Sequence, residues 1–222
     1  MSTYYASSDC KGKQYDMKLD ELFNKKENGF FVELGAFNGL DYSNTAFFEF
    51  SRKWRGILIE PSFKCYEECI RNRPNSISVN AACVSNDYTL DTIMGDFNNV
   101  TMASVGGIRI AASLGKSVDE TILKTVPART LECIFNENNV THIDFLSLDA
   151  EGYEYEILRG INLNRYRPKY ILIEVYTQEY NKLLSYLIDN NYKLLENFSK
   201  FNLHDNPGWD GTHQDYLFVD TL

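Results

Sequence analysis

The sequence predicts an α/β domain with a mostly parallel sheet covered by helices on both faces. Three observations carry that expectation. Short apolar runs alternate with helix-like stretches along most of the chain. Those runs lack polar/apolar alternation, as expected of strands buried on both faces. The alternation stops near the end, where two strand-like runs follow one another with no helix between them.

Gly29–Leu34 reads as the first strand, followed by Gly56–Ile59, Ser76–Val84, Asp144–Leu148 and Tyr170–Val175. The helix candidates between them are Tyr42–Lys53, Ser62–Asn72, Thr130–Asn138, Glu154–Ile161 and Gln178–Asn190. Tyr192–Phe198 and Asp215–Asp220 are the last two strands, joined by the Gly-, Asn- and Asp-rich loop Ser199–Gln214. Without a crossover helix these two must pair antiparallel, and their loop is expected at the carboxyl edge of the sheet, where ligands bind in such folds. Ser85–Val126 fits the alternation poorly, offering Asp96-Phe-Asn-Asn-Val, a Gly106-Gly107 turn and a helix candidate near Val118–Lys124. It is expected to be a lid or insertion on the acceptor side. With no repeat or composition break, residues 1–222 read as one domain.

Composition narrows the function. The 222 residues are 44% hydrophobic and 24% charged, which is globular, and 22 basic against 31 acidic residues leave a formal charge of −9. An excess of carboxylates opposes the counterion release on which nucleic-acid binding depends, so a nucleic-acid partner is not expected. Cys10, Cys65, Cys69, Cys83 and Cys133 form neither a zinc motif nor a disulfide framework and read as reduced thiols. Met1–Asp20 is polar and no apolar run approaches about 18 residues, so no membrane span and a cytoplasmic location are expected. Asn99-Val-Thr101, Asn139-Val-Thr141 and Asn197-Phe-Ser199 fit the glycosylation acceptor pattern by chance in an Asn-rich chain.

Three motifs carry chemistry. Phe31-Val-Glu-Leu-Gly-Ala-Phe-Asn-Gly39 runs a strand into a glycine turn, with Gly35 permitting the sharp exit and Gly39 expected near a helix start. It lacks the middle glycine of the dinucleotide fingerprint, which weakens a nicotinamide or flavin reading. Glu33 just before the turn repels phosphate and suits an amine-bearing ligand; the alternative is a strand-end turn with no ligand. In Ile57-Leu-Ile-Glu60-Pro61, Glu60 sits where ribose hydroxyls are accepted in nucleotide-binding α/β folds, or else caps the following helix. In Asp144-Phe-Leu-Ser-Leu-Asp149-Ala-Glu151-Gly152-Tyr-Glu154, Asp149 and Glu151 leave the sheet on the same edge. They can orient an acceptor hydroxyl, serve as base or hold a divalent metal, or Asp149 simply caps the next helix.

In this order and spacing the three motifs resemble the FkbM-type family of S-adenosylmethionine-dependent methyltransferases. The likeness runs from about Gly29 to Val175, is strongest in Asp144–Glu154, and continues more weakly in Val126-Pro-Ala-Arg-Thr-Leu131 and Gln214-Asp-Tyr-Leu-Phe-Val219. It implies a Rossmann-like class I methyltransferase fold, a seven-stranded mostly parallel sheet with a C-terminal antiparallel hairpin, and S-adenosylmethionine as cofactor. By that resemblance Glu33, Gly35 and Gly39 border the methionine end, Glu60 holds the ribose, and Asn80 and Ala81 lie beside the adenine. Ala36, Asn38, Asn44, Pro61, Ser62 and Asp149 are the further residues expected to bind the cofactor. The family's acceptors are mostly sugars and natural products, so a sugar or glycan hydroxyl is the expected acceptor, within a larger glycan-building chain or complex as one setting. A small metabolite, a protein side chain, or nucleotide binding without catalysis are the other readings.

Methyl transfer to oxygen needs an aligned hydroxyl and a base. His213 and His204 lie in the loop expected at the active edge and titrate near neutrality, whereas His142 belongs at the opposite edge. Asp149, Glu151, Glu174 and His213 are therefore the catalytic candidates, with Asp149 and Glu174 as candidate ligands for Mg²⁺ or Mn²⁺. Trp209, Tyr176 and Tyr180 are candidates for a wall that stacks on a sugar ring.

Overall fold

A computed structural model of the chain describes residues 3–98, 102–107 and 117–222. The parallel part of the sheet is β1 (Phe30–Leu34), β2 (Arg55–Ile59), β3 (Ile77–Val79), β7 (Ile143–Leu148) and β8 (Pro168–Tyr176). The closing strands are β9 (Tyr192–Asn197) and β10 (His213–Asp220), and β10 is antiparallel to both β8 and β9. The order β3-β2-β1-β7-β8-β10-β9 reverses between β1 and β7, which opens a crevice at their carboxyl ends.

Successive residues of the strands face opposite layers, and both layers are apolar. Val32, Leu34, Ile57, Ile59, Leu146 and Ile171 face α4 (Leu131–Glu137), α5 (Glu154–Leu158) and α6 (Tyr180–Asp189). Phe31, Leu58, Phe145 and Leu172 face α1 (Tyr15–Leu22), α2 (Ala46–Arg52) and α3 (Phe63–Asn72). Continuous apolar strands are thus the signature of a sheet with no wet face. Among the described residues no helix is long and apolar enough to cross a membrane.

The polar N-terminus, for which no element was expected, forms α1, which buries Tyr15 and Leu19 together with Asp16, whose carboxylate accepts from the amides of Tyr5 and Ala6. Four expectations need correcting. The helix expected from Tyr42 begins at Ala46. Ser76–Val84 is two strands, because Asn80 donates from Nδ2 to the carbonyls of Glu60 and Pro61, both at 2.9 Å, and pulls the chain out of the ladder. Beyond it β4 (Ala82–Cys83) joins β5 (Thr92–Gly95) and β6 (Lys124–Arg129) in a small separate sheet, so part of 85–126 is ordered strand. Only a 3-10 turn, Glu120–Ile122, stands where a helix was expected near Val118–Lys124. Within that insertion, Asn99-Val-Thr101 and residues 108–116 lie outside the described residues. Among the described residues, which include all five cysteines, there is no disulfide; Cys65, Cys69 and Cys83 are buried and Cys133 is exposed.

Candidate active site

β1 ends at Leu34, and Gly35 turns the chain with φ of 72°. A Cβ at this position would lie 2.1 Å from the Asp149 carbonyl oxygen, so the exits of β1 and β7 meet only because residue 35 is glycine. Around that crossing a cleft runs along the carboxyl edge. One end is lined by Glu60, Pro61, Ala81, Cys83 and Phe97. The other end is lined by Glu33, Asn44 and Ser147, and Gly35, Phe37, Asp149 and Glu151 belong to both. The cleft therefore unites all three sequence motifs.

Glu60 is held at the first end. Its Oε2 accepts from the Phe37 amide at 2.9 Å and its Oε1 from the Ser62 amide at 2.8 Å. Each oxygen keeps a second lone pair for a ligand hydroxyl. Burial pushes this carboxyl up to about 7, against the pull of the two amides. Glu60 thus ties the β1 turn to the start of α3 and still offers acceptors to the cleft.

At the other end Glu33 is engaged from within. Ser43 Oγ donates to its Oε2 at 2.8 Å, Thr45 Oγ1 to the same oxygen at 2.6 Å, and the Asn44 amide to Oε1 at 2.7 Å. Arg73, fully buried, lies 3.8 Å from Oε2 and pairs with Glu49 at 2.8 Å through Nε. Its remaining nitrogens donate to the Gly39 carbonyl at 2.9 Å, to Ser43 at 3.2 Å and to Thr45 at 3.1 Å. A guanidinium buried with this many acceptors is matched on every side. It also explains Gly39: this residue stands seven positions before Ala46, the start of α2, and a Cβ on it, at φ of 81°, would press to 3.0 Å from the Arg73 side chain. Gly39 is therefore a packing glycine rather than a helix-start glycine.

Of the expected cofactor residues, Glu33, Gly35, Asn44, Glu60, Pro61, Ala81 and Asp149 line the cleft. Ala36, Asn38, Gly39, Ser62 and Asn80 stand behind it. Asn38 accepts from the amides of Leu40 and Asp41 through Oδ1, both at 2.9 Å, which closes the loop after the turn. Asn44 donates to Ser147 Oγ at 2.9 Å, while its own Oδ1 is buried without a partner among the described residues. Such an atom costs free energy unless a ligand donor reaches it. Sequence reasoning missed Phe37, Phe97, Ala103 and Val105, which line the Glu60 end. The insertion thus walls the cleft at that end and, through Met102, at the Glu33 end as well.

Beyond β7 the charges change character. Asp149, Glu154 and Glu174 bring one carboxylate oxygen each within 4.8 Å of one another. Glu154 was not among the expected site residues; it braces the turn between β7 and α5, whose N-cap is Tyr153 with no capping bond from its side chain. Glu154 Oε1 accepts from the amides of Ala150 at 2.9 Å and Gly152 at 3.0 Å. Burial pushes Glu154 up to about 7. Asp149 opens onto the cleft, yet the protein packed about its carboxyl and the neighbouring Glu151, Glu154 and Asp215 raise it well above the usual carboxylate range. Glu174 is raised by burial and by Asp149, and its Oε2 is a second buried acceptor without a partner among the described residues. Glu151 occupies the left-handed region with φ of 55°, a strained conformation for this residue, and Tyr176 Oη donates to its Oε2 at 2.6 Å.

His213 opens β10 opposite Tyr176, with Nε2 3.6 Å from Glu174 Oε1 and Nδ1 3.1 Å from Thr212 Oγ1. His204 is exposed, with its ring 4.0 Å from Asp205. His142 bonds Asp144 at 2.7 Å at the amino edge, away from the cleft. The aromatic wall is not a single surface. The rings of Tyr176 and His213 lie 5.6 Å apart and those of Trp209 and Phe201 6.2 Å apart, but Tyr180 packs on Tyr216 at 4.9 Å instead.

A sequence profile of the FkbM methyltransferase domain matches residues 33–194. No curated protein sequence matches the chain. Among solved structures, the precorrin-6y C5,15-methyltransferase of Geobacter metallireducens superposes with a TM-score of 0.50 at 9% identity, over 98% of this chain and 95% of that one. A TehB-like SAM-dependent methyltransferase of Corynebacterium glutamicum gives 0.48 at 9%, over 95% and 91%. Aeropyrum pernix fibrillarin, solved with S-adenosyl-L-methionine, gives 0.46 at 15%, over 93% and 77%. The first likeness is one of fold, and it agrees with the strand order and the switch-point cleft. The family follows from the profile, which spans all three cleft motifs: this chain belongs to the FkbM methyltransferase domain family, a SAM-dependent methyltransferase of Rossmann-like class I fold.

Proposed function

We propose that this protein methylates a hydroxyl of a sugar or glycan. The observation that carries this reading is the His213–Glu174 pair beside Asp149, at the carboxyl edge where the cleft opens. Bound S-adenosylmethionine supplies an electrophilic methyl group on a good leaving group; the chain must hold an oxygen nucleophile in line and take its proton. His213, within 3.6 Å of a carboxylate, is the base, and Glu174 stabilises the imidazolium that forms. Asp149 and Glu151 orient the acceptor hydroxyl.

In the same reading the donor lies along the cleft. Glu60 accepts its ribose hydroxyls, and Ala81 with Phe97 and Pro61 encloses its adenine. The unpartnered Asn44 Oδ1 accepts from its amino group. Glu33, Ala36, Asn38, Gly39, Ser62 and Asn80 hold the walls of that site in place. The cytoplasm is the compartment proposed for a chain of this charge and thiol content.

One observation favours a metal-assisted version. Three carboxylates within 4.8 Å are mutually repulsive without a cation or shared protons, so Asp149 and Glu174, with Glu154, would hold Mg²⁺ or Mn²⁺ near the acceptor oxygen. The test is transfer from methyl-labelled S-adenosylmethionine to free sugars, glycosides and oligosaccharides, with RNA and peptide as controls, each with Mg²⁺, Mn²⁺ or EDTA. Alkali-stable label on carbohydrate is expected. Label on RNA or peptide alone overturns the sugar assignment, and turnover unaffected by EDTA overturns the metal.

A further inference from the structure

A second groove begins where the donor cleft ends. Ser7, Asp41 and Tyr42 border both, and from there the groove continues along the N-terminal segment past Tyr5, Ser8 and Gln14. The segment is not a loose tail. Asp16, fully buried in α1, accepts from the amides of Tyr5 at 2.6 Å and Ala6 at 3.3 Å. Ala6 is itself buried and bridges to Tyr42, and Ser8 bridges to Gln14. Tyr4 stacks on Phe47 with ring centroids 4.7 Å apart, and Tyr5 packs on Phe50 at 5.7 Å. Tyr15 Oη donates to Asp215 at 2.7 Å, which ties α1 to the carboxylate edge. A wall built this way is preformed, so a ligand need not order it on binding.

The chemistry of the lining is specific. Among the described residues no lysine or arginine lines the groove, and its one formal charge is Asp41. A phosphate chain or nucleic-acid backbone would find no counter-charge there and would meet a carboxylate. The lining offers hydroxyls, an amide side chain and aromatic surface instead. Tyr42 is 66% exposed, unusual for a ring this large, and sits in the left-handed region with φ of 63° at the junction of groove and cleft. An exposed ring flanked by hydroxyl and carboxylate acceptors suits the apolar face and the hydroxyl rim of a sugar.

We propose that this groove binds the neutral sugar residues next to the one that is methylated, with Tyr42 stacking on the first of them and Asp41 accepting its hydroxyls. The proposal rests on the sugar reading above and adds to it a chain-length requirement: the acceptor is an oligosaccharide rather than a free monosaccharide.

The test is retention of the full chain, with saturating S-adenosylhomocysteine, on an array of neutral mono-, di- and trisaccharides. Two variants are compared with wild type: Tyr42→Ala at the junction and Ser8→Trp at the far end, where the indole fills the groove. Unchanged melting temperatures establish that both are folded. The wild type is expected to retain di- and trisaccharides about tenfold better than the monosaccharide sharing their terminal sugar, and both variants lose that preference. Equal retention of short and long sugars by the wild type, or a preference that survives both substitutions, overturns the groove alone. Retention of no carbohydrate overturns the sugar reading and the groove together.

Discussion

The two halves of the cleft treat their carboxylates in opposite ways. On the β1–β3 side each buried acid is matched: Glu33 and Glu49 share Arg73, and Glu60 holds two backbone amides. On the β7–β10 side Glu154 also holds two amides and Lys18 attracts Asp215. Asp149 and Glu174, however, are each raised by burial and by the acids around them, and the basic side chain beside Glu174 is His213 at 3.6 Å. The first arrangement is what a binding scaffold needs, because it fixes the turn geometry whether or not a ligand is present. The second stores repulsion that a proton, a cation or a substrate hydroxyl relieves, and that is the property of a reacting edge.

The contrast can be broken first at Glu174. Glu174→Gln keeps the shape and removes a charge; turnover is expected to fall by about 10²–10⁴-fold, the usual weight of acid–base assistance, while S-adenosylhomocysteine affinity stays within about threefold. Retained turnover would place the chemistry elsewhere. The opposite half is broken at Arg73. Arg73→Met leaves Glu33 and Glu49 buried without their cation, and urea denaturation should show a loss of about 3–5 kcal/mol, as for other buried pairs cut on one side. A loss under about 1 kcal/mol would mean that the network is not the scaffold described.

Two smaller effects sharpen the comparison through pH. Burial lifts Glu60 to about 7, and a ribose hydroxyl bonds best to its ionised form. Calorimetric affinity for S-adenosylhomocysteine should therefore weaken by up to about tenfold from pH 8 to pH 6, since each unit below the pKa removes about nine-tenths of the carboxylate. Glu60→Gln should bind more weakly and lose this dependence. Glu154, raised to about 7 from an ordinary 4.5, binds its proton more tightly folded than unfolded. Its contribution to stability is complete below about 4.5 and is lost as pH rises through about 7. Glu154→Gln keeps the bonds to Ala150 and Gly152 and removes that titration, so its melting temperature should exceed that of wild type more at pH 8 than at pH 5.5.

What could be read from the sequence follows the same division. The strand ends bearing Glu33, Glu60 and Asp149 are apolar runs stopped by glycine, proline or acid, and such breaks mark a sheet edge whatever packs around them. The antiparallel closure was readable because a missing crossover helix leaves few alternatives. Arg73 was not readable: an arginine near the end of an amphipathic helix looks like a surface residue until the fold lays Glu33 and Glu49 beside it. Nor was α1, whose buried face is Tyr15 and Leu19 with two aspartates, too few apolar positions for a periodic signal. The strands of the small separate sheet are two to six residues long, and pairing partners decide their existence more than their own composition. Glu154 was passed over because an acid in the first turn of a helix looks like a solvated residue, and only the bonds to Ala150 and Gly152 show that it braces the turn beside Asp149.

The central claim is that one half of the cleft binds the donor and the other performs the transfer. It is tested most directly by calorimetric titration of wild type and Glu174→Gln with S-adenosylhomocysteine, paired with single-turnover transfer of labelled methyl to the oligosaccharide best retained on the array. The account predicts micromolar, nearly equal binding in both proteins and transfer only in the wild type. Binding and transfer that fall together in the variant, or transfer at the wild-type rate, would contradict it.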